Sequence, residues 1–200
     1  MGRVLTLVAP QEAEAHGLLA LMELNASRIA ARTDAAGDPI LLMDQNRARW
    51  DHLQIRRGLR ALAQAHELGG GRGFYALQAA IVACHARAAT PGDTDWSSIA
   101  KLYAELAGLV RSPIIELNRA VAIGMAEGPA AALAMVDGLA GEPALKNYHL
   151  LESVRGDLLF KLGRFAEAGD AFEIAAALAA NKRERELLKR RAAEAVGSAP

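Results

Sequence analysis

The side chains able to do chemistry in this 200-residue chain are few and scattered. Its histidines are His16, His52, His66, His85 and His149, and its one cysteine is Cys84. No two histidines lie three to five residues apart with a carboxylate or thiol companion, so the ligand spacing of a zinc site is missing. A single cysteine excludes an internal disulfide and a cysteine metal cluster. On an apolar stretch its expected role is that of a small buried side chain. No Ser–His–acid arrangement is defensible from sequence. Gly69-Gly-Gly-Arg-Gly73 has the glycines of a phosphate loop but not the Lys-Ser/Thr, and no strand leads into it. It reads as a helix–helix connector. His85 sits in an apolar helical stretch, where a buried neutral ring bonded to a neighbour is the expected state and a catalytic base the alternative. No enzyme, cofactor or metal is therefore expected.

Polar clusters offer recognition rather than catalysis. Asp44, Arg47, Arg49, Trp50 and Asp51 crowd one helix start. Arg and Trp are enriched at binding hot spots, so this is a candidate partner-contact patch. The same residues also fit a helix cap with ion pairs and Trp50 as a core anchor. Arg119 follows Glu116 and Asn118 beside an apolar ladder of Leu117, Val121 and Ile123, where a part-buried arginine needs a carboxylate. It is a second candidate contact, and Tyr148 at another helix start is a third. Lys182 to Arg191 mixes both signs and reads as a solvated helix with i,i+4 pairs.

Composition says what must position these groups. Hydrophobic residues make up 52% of the chain and aromatics only 4%, with 23 basic residues balancing 23 acidic ones. Ala, Leu, Glu and Arg are strong helix formers, and long β-branched runs are missing. Zero net charge gives no global field for nucleic acid. No uncharged run reaches the roughly 20 apolar residues of a membrane helix, and no signal peptide is evident. A cytoplasmic location, away from membrane, is the expectation.

The apolar periodicity predicts helices over 3–9, 11–33, from 45 or 49 to 68, 74–89, 96–111, 113–127, 130–139, from 142 or 143 to 162, 164–179 and 182–195. Pro10 ends the first, so the chain reads as entering partway through an array. Asp34 to Pro39 is a turn, Ile40 to Met43 is extended, Thr94 or Asp95 caps the next helix, and Gly197 to Pro200 is a loose tail.

Lys161 to Asn181, KLGRFAEAGDAFEIAAALAAN, reads like the second half of a tetratricopeptide (TPR) repeat. Gly163 stands at the interhelix turn, and Ala168, Phe172 and Ala175 share one face. Gly156 supplies the small residue a close helix pair needs. Gly128 and Gly163 are 35 residues apart, within one of the TPR period of about 34. Such hairpins must stack to bury their apolar faces. The expected fold is all-α, an array of antiparallel helical hairpins forming a TPR-like superhelix. A single domain over 1–200 is expected, with divergent hairpins in 3–141 and the clearest hairpin plus a capping helix in 142–196.

Several blocks together carry a more specific resemblance. They include HGLLALMELNASRIAARTDAAGDPILLMDQNRARWD (16–51), LQAAIVACHA (77–86), DTDWSSIAKLYAEL (93–106) and SPIIELNRAVAIGMAEGPAAAL (112–133). The chain resembles the C-terminal TPR-like extension of a group of bacterial extracytoplasmic-function (ECF) sigma factors. The resemblance implies a whole protein that directs RNA polymerase to promoters. It implies that this part regulates that process by contacting the sigma domains, the polymerase or a small regulatory protein. The family's polymerase-binding domain and helix-turn-helix promoter reader have no counterpart in this sequence. A free-standing TPR-like scaffold holding a peptide is the alternative. With no basic reading helix, the chain alone is expected to give no sequence-specific promoter shift on a gel. A salt-resistant specific shift would reveal a hidden DNA surface.

Overall fold

Helix starts are set by side-chain caps and prolines. Asp51 accepts hydrogen bonds from the amides of Leu53 and Gln54 at 2.8 and 3.0 Å. Asp95 accepts from the Ser98 amide at 2.9 Å, and Asn181 from that of Arg183 at 2.9 Å. Each satisfies amides that have no partner within their own helix. Pro113 and Pro129 occupy first turns, where a missing N–H costs nothing.

The computed structural model describes residues 2–198, without the Arg3 side chain. The chain is all-α, with no strand among the described residues and one isolated bridge, Thr33 to Pro39. It forms two compact units, residues 1–110 and 111–200. The first holds α1 (Gly2–Val8), α2 (Ala13–Ala26), α3 (His52–Glu67), α4 (Phe74–Arg87) and α5 (Trp96–Leu109). There α2 packs on α1, α3 and α4, and α5 covers another side of α4. Its core joins Ala20, Leu24, Trp50, Leu62, Ala76 and Ala79. The second unit holds α6 (Pro113–Ala126), α7 (Pro129–Gly138), α8 (His149–Lys161), α9 (Phe165–Leu178) and α10 (Lys182–Gly197). Each of these helices packs on the next, as stacked hairpins must. One buried cluster runs from Leu117 to Ala195. Among the described residues no helix is long and apolar enough to cross a membrane.

Three helices are clearly shorter than their apolar patterns predict. The one expected from 45 or 49 begins at His52, because Arg47–Arg49 forms a separate 3₁₀ turn and Asp51 caps the helix. The one expected over 11–33 stops at Ala26. Ser27 turns its hydroxyl back to the Leu24 carbonyl at 2.7 Å, and its own carbonyl accepts from the Asp51 amide at 2.7 Å. A tertiary bond thus takes the acceptor that further helix would use. The helix expected from 142 or 143 begins only at His149. Pro143–Leu145 is a separate 3₁₀ turn, held by burial of Leu145 in the second core. In the tail, Gly197 ends α10, while Ala199 and Pro200 lie outside the described residues.

Two glycines of the TPR-like stretch have distinct physical jobs. A Cβ on Gly156 would come within 2.7 Å of the Phe172 ring, which is fully buried. Gly163 has φ of +73° and no atom near its missing Cβ. Gly156→Ala is therefore expected to cost about 1–3 kcal/mol by overpacking. Gly163→Val should cost about 1–3 kcal/mol through backbone strain alone. Urea unfolding of both variants checks this, and an unchanged midpoint for Gly163→Val would misplace the turn.

Candidate functional site

The Arg47 region is where the structure gathers most polar chemistry, and the burial of α4 explains why. Helix α4 touches α2, α3 and α5, yet its flanking residues Gly73 and Ala88 bring no capping side chain. Its end groups are satisfied from elsewhere. At the N-terminus the Glu14 carboxylate of α2 accepts from the amides of Tyr75 at 2.9 Å and Ala76 at 3.3 Å. At the C-terminus the Arg47 guanidinium donates to the carbonyls of His85 and, at 2.9 Å, Ala88. It also donates to the Thr94 hydroxyl at 3.1 Å. A negative group at the amino end and a cation at the carboxyl end both match the helix dipole.

Around Arg47 the side chains close into a junction. The guanidinium lies over the Trp50 ring, 5.1 Å from its centroid. The His85 ring meets Trp96 edge to face at 5.1 Å. Burial, then the charges of Arg47 and Arg28, push the His85 pKa down to about 4, so the ring is neutral at pH 7. Arg28 is nearby and donates to the Asn25 side chain at 3.1 Å. Gln45 is buried and donates to the Ile40 carbonyl at 3.1 Å. Several buried polar atoms here have no protein partner: Arg28 Nε, Gln45 Oε1, Arg47 Nε, Trp50 Nε1 and His85 Nδ1. Such atoms are rare in native structures and each calls for a reason.

Two cavities flank the C-terminal end of α4. One, of about 420 Å³, is lined by Arg47, Trp50, His52, Ile55, Arg87 and Ala88 among others. The other, of about 620 Å³, lies between α4 and α5 and is lined by Cys84, Arg87, Asp93, Asp95 and Lys101 with alanines and Leu102. Burial raises the pKa of the Cys84 thiol, which keeps it protonated and less nucleophilic. Among the described residues no three His, Cys, Asp or Glu side chains converge as a metal site.

The residues singled out in the sequence separate in the structure. Trp50 is only 4% exposed and belongs to the first core. Arg47 is turned inward to the end of α4, and Asp51 caps α3. Asp44 and Arg49 face solvent. In the second unit Arg119 is half-buried and pairs with Glu116 of its own helix at 3.2 Å. Tyr148 begins α8, packs on the second core and lies 6.1 Å from the His149 ring. Sequence reading missed Glu14, Arg28 and Gln45 as site residues, and read Thr94 only as a candidate cap, not as the acceptor for Arg47. Glu14 lies 61 residues from the amide it caps, and no local pattern announces such a pair.

Comparison with known proteins adds relatives rather than chemistry. A family of unknown function (DUF6596) matches residues 1–66, which include Arg28, Arg47 and Trp50. An uncharacterized protein of Rhizobium meliloti (strain 1021) is 46% identical over 186 residues, covering 92% of this chain. The chain spans 43% of that relative's length. No solved structure matches.

The depressed His85 pKa has a consequence for stability. Unfolded, the ring binds a proton below about 6.5; folded, only below about 4. The contribution is fully present above pH 6.5 and is lost as pH falls toward 4. Urea midpoints at pH 7 and 4.5 are expected to fall more for the parent than for His85→Gln. Equal falls would place the acid sensitivity elsewhere.

Proposed function

We propose that this chain is a regulatory, non-catalytic protein-interaction domain of an ECF-type sigma factor. It would dock on the sigma domains or on RNA polymerase and change how much of the protein is competent for transcription. The observation that carries the proposal is architectural. Two units of packed hairpins present long helical faces, and hairpin arrays of this kind commonly hold other proteins. The relative in Rhizobium meliloti, more than twice this length, places a similar stretch within a larger chain. The sigma-factor part of the proposal is supported by the resemblance of the blocks ASRIAART, DQNRARWD and LNRAVA to that family.

With Arg47 and Trp50 committed to the interior, Arg49 and the exposed Arg56, Arg57 and Arg60 of α3 become the anchors of choice on the first unit. None of these four forms an ion pair among the described residues. Guanidiniums left unpaired at a surface suit carboxylates on a partner. The shift such docking produces is bounded by its differential affinity for competent and incompetent states.

The test mixes this chain with the separate sigma domains and with polymerase, and measures association and transcript yield. Association is expected, and Arg56→Glu with Arg57→Glu should weaken it about tenfold or more. No association, together with equal transcription by full-length and truncated sigma factor at every concentration, would end the proposal.

A further inference from the structure

Helix α3 carries three cations that nothing answers. Arg56, Arg57 and Arg60 are all exposed, and none forms an ion pair among the described residues. Arg60 stands three and four residues from the other two, where like charges on a helix repel. No carboxylate stands three or four residues from any of them. The second unit treats comparable cations differently. There Arg119, Arg155 and Arg164 have Glu116, Asp137 and Glu167 within 3.2 Å.

Two of these arginines border a trough. A cavity of about 360 Å³ is lined by Leu19 and Glu23 of α2, Thr6 of α1, and Arg57, Arg60 and Ala61 of α3 among others. Both α1 and α3 pack on α2, so α2 is the floor and the other two helices are the walls. Glu23, the one carboxylate in the lining, is buried and already engaged. The exposed arginines therefore set the charge on the α3 side. The other side is apolar. Leu7 follows Thr6 on α1, and Val4, Leu7 and Val8 stand at i, i+3 and i+4, on one face of the helix. They are 61%, 80% and 78% exposed. A contiguous aliphatic stripe left to solvent, next to polar groups, is the mark of an interaction surface.

We propose that this trough receives an acidic amphipathic helix of a partner protein. Its carboxylates would pair with Arg56, Arg57 and Arg60, and its apolar residues would lie against Leu19 and the α1 stripe. This is the helix-in-groove mode of recognition. Two physical points single out that occupant. The unpaired guanidiniums call for anions, and the aliphatic stripe has no counterpart on a phosphodiester backbone. A concave trough also fits a rod better than a flat bilayer. The proposal rests on the docking reading above and gives the chemistry of the segment that docks.

The probe is a designed, fluorescein-labelled helical peptide with leucines on one face and glutamates on the other, added to this chain alone. Fluorescence anisotropy is expected to show saturable binding that weakens as salt is raised. A peptide with glutamine in place of glutamate should bind about tenfold or more weakly. A scrambled peptide of the same composition should also bind about tenfold or more weakly, for want of a continuous apolar face. Arg57→Ala with Arg60→Ala, and separately Leu7→Ser, should each weaken binding about fivefold or more. These side chains are exposed, so the melting temperature should not shift. Lys189→Ala with Arg190→Ala, an exposed cation pair on α10, should leave binding unchanged. Equal binding of the glutamine or scrambled peptide would overturn the proposal. So would undiminished binding by the Arg57→Ala, Arg60→Ala variant, or stronger binding of a mixed-sequence DNA duplex or phosphatidylglycerol vesicles that displaces the peptide. A chain that holds sigma domains or polymerase but not the peptide would sink this inference and leave the docking reading standing. Peptide binding without either association would uphold the trough and sink the docking reading.

Discussion

Everything in the first unit depends on how the two ends of α4 are satisfied. A helix has no internal partners for its first amides and last carbonyls, so these must be satisfied from outside it. Gly73 and Ala88 offer nothing, so the partners come from other segments of the chain. Glu14 closes the amino end and Arg47 the carboxyl end. These contacts bridge 61 and 41 residues, so the same bonds that finish α4 also fix α2 and the segment before α3 upon it.

That arrangement demands small residues where elements meet. A Cβ on Gly73 would fall 2.2 Å from the Glu14 carboxylate, and one on Gly17 would fall 2.7 Å from the Ala76 amide. The alanine-rich core follows from the same closeness. It also explains why Trp50 is an interior anchor: the indole is the floor on which Arg47 lies. The junction carries a cost, because guanidiniums sit beside a neutral histidine with no carboxylate in contact. Departures from local satisfaction of this kind are often where proteins place ligands.

In the second unit the organising contact is apolar. Phe172 fills the space left by Gly156, and Arg191 lies over the same ring at 4.5 Å while pairing with Asp157. Burial pushes the Asp157 carboxyl up and the Arg191 charge pulls it back. The polar pair ties α10 to α8 beside the ring that fills the α8–α9 interface.

The sequence by itself determined the local events. Period-3.6 apolar patterns placed the helices, and Asp95, Pro113, Gly128 and Gly163 marked starts and turns, because caps and positive-φ positions are read within a few residues. It also marked Gly156 as the small residue of a close helix pair, through motif spacing; that the Phe172 ring fills the space came from the structure. Tertiary structure alone decided what ended α2 at Ala26, since the Asp51 amide that takes the Ser27 carbonyl is distant in sequence. It alone turned Arg47 inward and joined it to His85 and Thr94. Long side chains reach about equally toward solvent or core, and only the positions of unpaired groups on other segments select between them. The fold was legible because periodicity is local; the site was not, because every bond that builds it joins segments far apart in the chain.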